Sequence, residues 1–382
     1  MHPFSRVRRF SVGLVVLSVG LGAMLPTVAD DERVPDTVLS RYRMSAAAVA
    51  RLEASGIEFQ VEARKTDRRG GTFFHVLVPR SAVARAAGQL ESATLLEADL
   101  RDEIARIPAA TRASYHDYAE VKAHLERLER ENPELVQIEI YGQSRDNRDL
   151  FAVHLAKPLA AANFRPGLLL TGGTHGDELI GVETLLHVLE QTIAGAAGGD
   201  PVITAALEEF TLYFVPVVNP DGFVRRERYA NGVDPNRDFP WPGQPSKRPN
   251  PAIASLMEFI HRHNVVGAID WHAYGRVVGY PWSYQRQPLS NESDRQAHQR
   301  LAAAMGRAAS YRSGQIPDVL YVAQGTSGDW YYWQHNALAF VIEIGDEKIP
   351  SPTTWPQRFR ENTSAYKVFL SEMTKLQTAR RL

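Results

Sequence analysis

His175 and Glu178 stand three residues apart, just after the apolar run Leu168-Leu169-Leu170 and the turn residues Gly172 and Gly173. Imidazole and carboxylate are ordinary zinc ligands. A third donor, His272, follows another apolar run, Val265 to Ile269. Two histidines and one carboxylate make a zinc site with a position left open for water. Glu343 lies inside a further apolar run, among Phe340, Val341, Ile342 and Ile344. Desolvation there should raise its pKa toward the range useful to a general base. Arg237 offers a planar fork suited to a carboxylate, with Asn236 beside it.

The elements that must carry these groups are readable. Apolar residues at Leu179, Val182, Leu185, Leu186 and Leu189 recur at helical spacing, so a helix over Leu179 to Ile193 is expected. His175 and Glu178 then occupy a strand-to-helix loop, where a parallel sheet places its ligand sites. The runs Leu212 to Val218, Val265 to Ile269 and Ala339 to Ile344 read as strands buried on both faces. The first of them leads through the turn Asn219-Pro220-Asp221-Gly222 into an arginine-rich loop with Arg225, Arg226 and Arg228. Four strand ends therefore point their polar residues at one place.

Other histidines read as structural. His187 and Glu190 form a second H-x-x-E, expected as an exposed helical pair. His75, His116, His124 and His154 have ordinary helix or strand settings. His261 and His263 read as a helix-end surface pair. The serine-nucleophile elbow, the phosphate-binding Walker loop and the H-E-x-x-H zinc motif are all absent.

Residues 1–29 read as a secretory signal peptide: Arg6, Arg8 and Arg9, then the apolar run Phe10 to Leu25, then Thr27-Val28-Ala29 for cleavage. The run is short for a membrane-spanning helix, and the flanks of Arg8-Arg9 fit twin-arginine export poorly. A secreted or periplasmic product is expected, without stable membrane insertion after signal removal. Removing the signal takes three of the 43 basic residues and none of the 44 acidic ones, so no basic excess remains to hold nucleic acid. The 382 residues contain no cysteine, which excludes disulfides, thiolate metal sites and a cysteine nucleophile.

Residues 30–112 read as a small β-α-β-β-α-β unit of ferredoxin-like pattern plus a linker. Its helices are expected over Ser45 to Ser55 and Ser81 to Leu90, each opened by a serine, with strands at Thr37 to Tyr42, Ile57 to Val61, Phe73 to Val78 and Thr94 to Leu96. Leu100 to Ala113 reads as a linker or connecting helix and marks the domain boundary. Residues 113–382 form the second domain. The fold class is α/β, with a mixed, mostly parallel central sheet flanked by helices and preceded by the ferredoxin-like unit.

From about Tyr115 onward, the chain resembles the zinc carboxypeptidases of the carboxypeptidase A type. The likeness rests on Thr174-His175-Gly176-Asp177-Glu178, Asn219-Pro220-Asp221-Gly222, Gly232-Val233-Asp234-Pro235-Asn236-Arg237, His272-Ala273-Tyr274-Gly275 and the stretch Tyr321 to Glu343, in that order. The resemblance implies one zinc ion per chain on His175, Glu178 and His272. It implies Glu343 as the base that activates a zinc-bound water. Asn236 and Arg237 look like the clamp for a free C-terminal carboxylate, and Tyr321 like the tyrosine that closes over the terminal residue. Asp234 looks like the partner that orients His175. Arg228, with Arg226 close behind, looks like the arginine that polarises the scissile carbonyl. Gly328 matches the pocket position where basic-specific relatives carry an aspartate, so a preference for C-terminal Lys or Arg is not supported there. The leading unit resembles the prosegment of secreted members, with cleavage sites for an activating protease near Arg101, Arg106 and Arg112; a permanent accessory domain is the alternative. The expected substrates are peptide or protein C-termini. A zinc amidase acting on cell-wall peptides with D- or γ-linkages, or a zinc-free binding module, are the competing readings.

Overall fold

The computed structural model describes residues 38–57, 59–67 and 70–381. The signal-peptide reading of residues 1–29 lies outside them. Residues 35–382 cluster as one compact unit.

That unit opens with β1 (Leu39–Ser45), α1 (Ala46–Ala54), β2 (Gln60–Thr66), β3 (Thr72–Pro79), α2 (Arg80–Val83), α3 (Ala87–Leu90) and β4 (Thr94–Glu97). The four strands form an antiparallel sheet in the order β2-β3-β1-β4. Ser45 caps α1 by accepting from the Ala48 N–H, which satisfies a donor that the first turn leaves free. The helix expected over Ser81 to Leu90 is instead two single turns. Pro79, not a serine, stands at its start and gives no side-chain cap, and Gly88 weakens the second turn. The boundary segment is helical too, as α4 (Leu100–Arg106) and α5 (Ala109–Arg112). It is anchored rather than loose: Leu100 is buried with Leu39, Leu77 and Tyr229, and Ile104 and Ile107 pack against the main core.

The larger part comprises α6 (Tyr118–Glu131), β5 (Val136–Gln143), β6 (Asp149–Leu155), β7 (Gly167–Thr171), α7 (Leu179–Gly198), α8 (Pro201–Glu209), β8 (Thr211–Val215), α9 (Pro220–Arg225), α10 (Pro251–Arg262), β9 (Val265–His272) and β10 (Val277–Tyr280). It closes with α11 (Glu292–Ala309), β11 (Arg312–Gln315), α12 (Ile316–Val319), α13 (Ser327–His335), β12 (Leu338–Glu343) and α14 (Trp355–Arg381). The strands make one eight-stranded sheet, β11-β10-β12-β9-β7-β8-β6-β5. Its centre, β12-β9-β7-β8, is parallel. The antiparallel partners β10 and β6 flank that centre, with β11 and β5 beyond them.

Period-two alternation divides the central side chains between two layers. Leu168, Leu170, Ile269, Trp271, Phe340 and Ile342 face the layer built from α6, α7, α8, α11 and α14. Leu169, Ala268 and Ala339 face the layer built from α10 and α13. Burial on both faces explains why these strands read as unbroken apolar runs. The helix after Glu178 outlasts its expected end at Ile193 and runs on to Gly198. Gly199, at φ +71°, ends it in the left-handed conformation that a glycine adopts freely.

Candidate active site

Parallel register aligns the strand ends. Thr171 of β7 lies opposite Asp270 of β9, and His272 of β9 lies opposite Glu343 of β12. The loop from β7 to α7 then has to turn sharply. Gly176 makes this possible: a Cβ there would overlap the backbone of Gly222 at the start of α9.

His175, Glu178 and His272 converge, each side chain 3% exposed or less. His175 Nδ1 is 2.8 Å from Glu178 Oε1, His272 Nδ1 is 3.0 Å from Glu178 Oε2, and the two Nδ1 atoms are 3.1 Å apart. The far ring nitrogens face carboxylates: His175 Nε2 is 3.2 Å from Asp234 Oδ1, and His272 Nε2 is 3.0 Å from Asp270 Oδ2. A carboxylate draws the ring proton to Nε2 and leaves a lone pair on Nδ1. Two imidazole lone pairs and a carboxylate then meet in one buried spot, a donor set that suits a zinc ion.

Asp270 is the residue that sequence reading missed. It is 1% exposed and accepts from Thr171 Oγ1 at 2.8 Å, Thr174 Oγ1 at 3.1 Å and Ser327 Oγ at 2.7 Å, besides facing His272. The available signal was Asp-x-His at a strand end, because residues two apart on a strand share a face.

Of the two candidate arginines, Arg228 alone reaches the cluster. It donates from Nε to Asp234 at 2.9 Å, and its NH1 lies 3.0 Å from His175 Nδ1 and 3.3 Å from Glu178 Oε1. Arg226 turns away at the left-handed end of α9 and donates to the His116 carbonyl. Asp234 also caps the 3-10 turn Pro235–Arg237, accepting from the Asn236 N–H. Asn236 Nδ2 lies 3.3 Å from His272 Nε2, and its Oδ1 accepts from the Ser327 N–H at 2.9 Å. Arg237 donates to Tyr321 Oη at 2.7 Å. Tyr321 itself is 8% exposed and packs in the core of the N-terminal unit, its ring 6.5 Å from that of Phe59. Gly328 lies in the first turn of α13, with Val341 as the nearest neighbour of a would-be Cβ.

The charges are strongly interdependent. Burial works against Glu178, yet His175 and His272 hold its carboxyl well below the usual range. Burial likewise opposes the His272 imidazolium, but Asp270 and Glu178 raise its pKa well above the ordinary value. Asp234 is held low by Arg228 and His175 despite its burial. Glu343 goes the other way: loss of solvation pushes it up to about 8, His272 opposes the rise and Glu178 adds to it.

Several histidines expected to stand alone have acidic partners. His116 Nδ1 lies 2.9 Å from Glu183, and His124 Nε2 lies 3.2 Å from Glu190. Glu190 therefore pairs with α6 rather than with His187, whose ring stacks on Phe359 at 4.4 Å. His154 and His263 both face Glu139. His263 is accordingly not a surface residue, its side chain being 10% exposed. Such partners come from other elements, which spacing along one helix or strand does not reveal.

The model of the family described as zinc carboxypeptidase matches residues 121–365. Carboxypeptidase A2 of Rattus norvegicus is 31% identical over 268 residues, 61% of this chain and 63% of that protein. A zinc carboxypeptidase of Saccharothrix mutabilis subsp. capreolus is 26% identical over 302 residues, 67% of this chain and 69% of that protein. The chain thus spans a little under two thirds of the length of the carboxypeptidase A2 proteins it matches. The crystal structure of carboxypeptidase A from Helicoverpa armigera superposes with a TM-score of 0.69 at 20% identity, over 90% of this chain and 99% of that one. The thrombin-activatable fibrinolysis inhibitor does so with a TM-score of 0.65 at 20% identity, over 88% and 98%. These two likenesses are of fold.

Proposed function

We propose, from the premise that this chain belongs to the zinc carboxypeptidase family, that it hydrolyses the C-terminal peptide bond of peptides or proteins. The observation that carries the reading is the meeting of His175, Glu178 and His272 with Arg228 at the end of the strands, with Glu343 opposite His272 in register. Those three donors would hold zinc, which when bound supplies a Lewis acid that polarises a carbonyl and acidifies water. Glu343 takes the proton of the attacking water and passes it to the leaving amine. Among the described residues no hydrogen-bond donor holds its carboxylate, so the group is free to shuttle that proton. Burial raises its pKa to about 8, close to the range in which a general base works. Arg228 donates to the oxygen that becomes negative. Asn236 and Arg237 hold the terminal carboxylate, Arg237 through its planar fork. Tyr321 covers the terminal residue, and Gly328 brings no charge to the pocket.

The test is release of C-terminal residues from a mixed peptide pool by wild type and Glu343→Gln, with zinc quantified in both. Release by wild type alone, with about one zinc at this cluster in each, supports the reading. A general base contributes roughly a 10²- to 10⁴-fold rate effect, so comparable release by the variant removes Glu343 from the role. Wild type without zinc sinks the whole reading. Wild type that binds zinc yet releases nothing points to a covered cleft or to cell-wall amides.

Residues 30–112 act as a cover released by cleavage near Arg101, Arg106 or Arg112, after export directed by residues 1–29. In support, Tyr321 and Ala323 belong to the core of the N-terminal unit. A cavity of about 520 Å³ is lined jointly by Glu53, Ile57 and Phe59 and by Asp234, Arg237 and Trp241. Among the described residues no helix is long and apolar enough to cross a membrane. Sequencing the exported product decides: an N-terminus near residue 113 supports the cover, and one near Asp30 on fully active protein makes the unit a permanent domain.

A further inference from the structure

We propose that Glu139, His154 and His263 form a second metal site, for a borderline divalent cation such as Zn²⁺, at the opposite end of the sheet. Glu139 comes from β5, His154 from β6, and His263 from the end of α10. His154 Nε2 lies 3.0 Å and His263 Nε2 3.3 Å from the same oxygen, Glu139 Oε2. Zinc–nitrogen and zinc–oxygen bonds near 2.1 Å place tetrahedral ligands about 3.4 Å apart; both histidine–carboxylate distances are close to that, and the three donor atoms lie within 4.8 Å of one another.

The geometry at His154 fits a metal ligand. That residue is 4% exposed, and its Nε2 makes no hydrogen bond despite its 3.0 Å approach to Oε2. It meets the carboxylate out of line, as two ligands of one ion do. The surroundings complete the arrangement. Arg262 donates to the other oxygen, Glu139 Oε1, at 2.7 Å, while Oε2 faces the two imidazoles. Tyr213 Oη lies 3.1 Å from His263 Nδ1 and fixes that ring. The rings of Tyr213 and Phe259 enclose His154 at 4.9 and 5.9 Å. Glu139 is the most exposed of the three, its side chain at 28%, and gives the ion a way in.

His263 stands just ahead of β9 and His272 ends it. At about 3.3 Å per residue the two clusters lie roughly 25 Å apart, too far to share an ion. The second ion would tie the edge strand β5 and its neighbour β6 to α10, a cross-link available to a chain without cysteine.

Equilibrium dialysis of the untagged full chain against Zn²⁺ tests the site, comparing wild type with the double variant Glu139→Gln, His263→Gln. The expected result is one fewer zinc per chain in the variant, loss of a zinc-dependent rise in melting temperature, and unchanged peptide hydrolysis. Because the readout is a difference, it stands whether or not the His175 cluster holds metal. Equal zinc content overturns the proposal. Should the double variant fail to fold, a His175→Gln chain is titrated with Co²⁺. One equivalent with the intense absorption of tetrahedral cobalt supports the site, and none overturns it.

Discussion

Replacing Asp270 by Asn keeps the shape of the side chain and removes its charge. Four donors now converge on its two oxygens: Thr171 and Thr174 on Oδ1, Ser327 and His272 on Oδ2. An amide presents one acceptor, so one pair must face an NH₂ group. The threonine hydroxyls can rotate to accept, whereas His272 Nε2–H cannot. The amide therefore settles with its oxygen toward His272 and its nitrogen toward the threonines. The fold survives, at a cost of about 1–3 kcal/mol for weakened charge-assisted hydrogen bonds. The larger effect falls on the metal. His272 keeps an acceptor for its Nε2–H but loses the negative charge that raises its basicity, which typically costs about 10- to 100-fold in affinity, or roughly 1.4–2.7 kcal/mol. Competition with a chromophoric chelator measures the zinc affinity, and melting in EDTA measures the fold. Full zinc affinity in a folded Asp270→Asn protein would refute the claim that the charge of this carboxylate strengthens His272 as a ligand.

Gly176→Ala places a methyl group against the Gly222 backbone; the expected loss is about 1–3 kcal/mol, read from denaturant midpoints, and an unchanged midpoint contradicts the close approach. His298 donates from Nδ1 to the Asp294 carbonyl and accepts the Ala339 N–H at Nε2, so it must be neutral, and burial lowers its pKa from 6.5 to about 4. Its depressed folded pKa means that the stability it contributes is present above pH 6.5 and lost as pH falls toward 4. At about 1.4 kcal/mol per unit this approaches roughly 3 kcal/mol. His298→Gln should flatten that part of the stability curve, and an unchanged slope between pH 6.5 and 4 would count against it. Arg237→Lys keeps the charge and loses the fork; KM for peptides should rise roughly 10-fold or more, with kcat little changed, and no rise for peptides with a free terminus excludes Arg237 from the clamp.

The central strands were legible because burial on both faces writes itself as unbroken apolar runs, and the strand ends could be placed from them. His175, Glu178 and His272 could be selected because few residue types bind zinc and each stood after such a run. Asp270 was invisible for the opposite reason. Its meaning depends on the register that sets it beside Thr171 and on Ser327, 57 residues away. The partners of His116, His124 and His154 lie on other elements for the same reason.

The register that places His272 opposite Glu343 also bears on the order in which the protein folds. His175 and His272 are 97 residues apart in the chain, and Glu343 arrives on yet another strand. No local fragment holds two of the imidazoles, so the ion has nowhere tight to bind until the parallel strands have docked. Contacts this distant form late, because the chain must first close its loops. During refolding, capture of zinc at this cluster therefore lags behind the appearance of helix. It serves as a clock for the closing of the sheet.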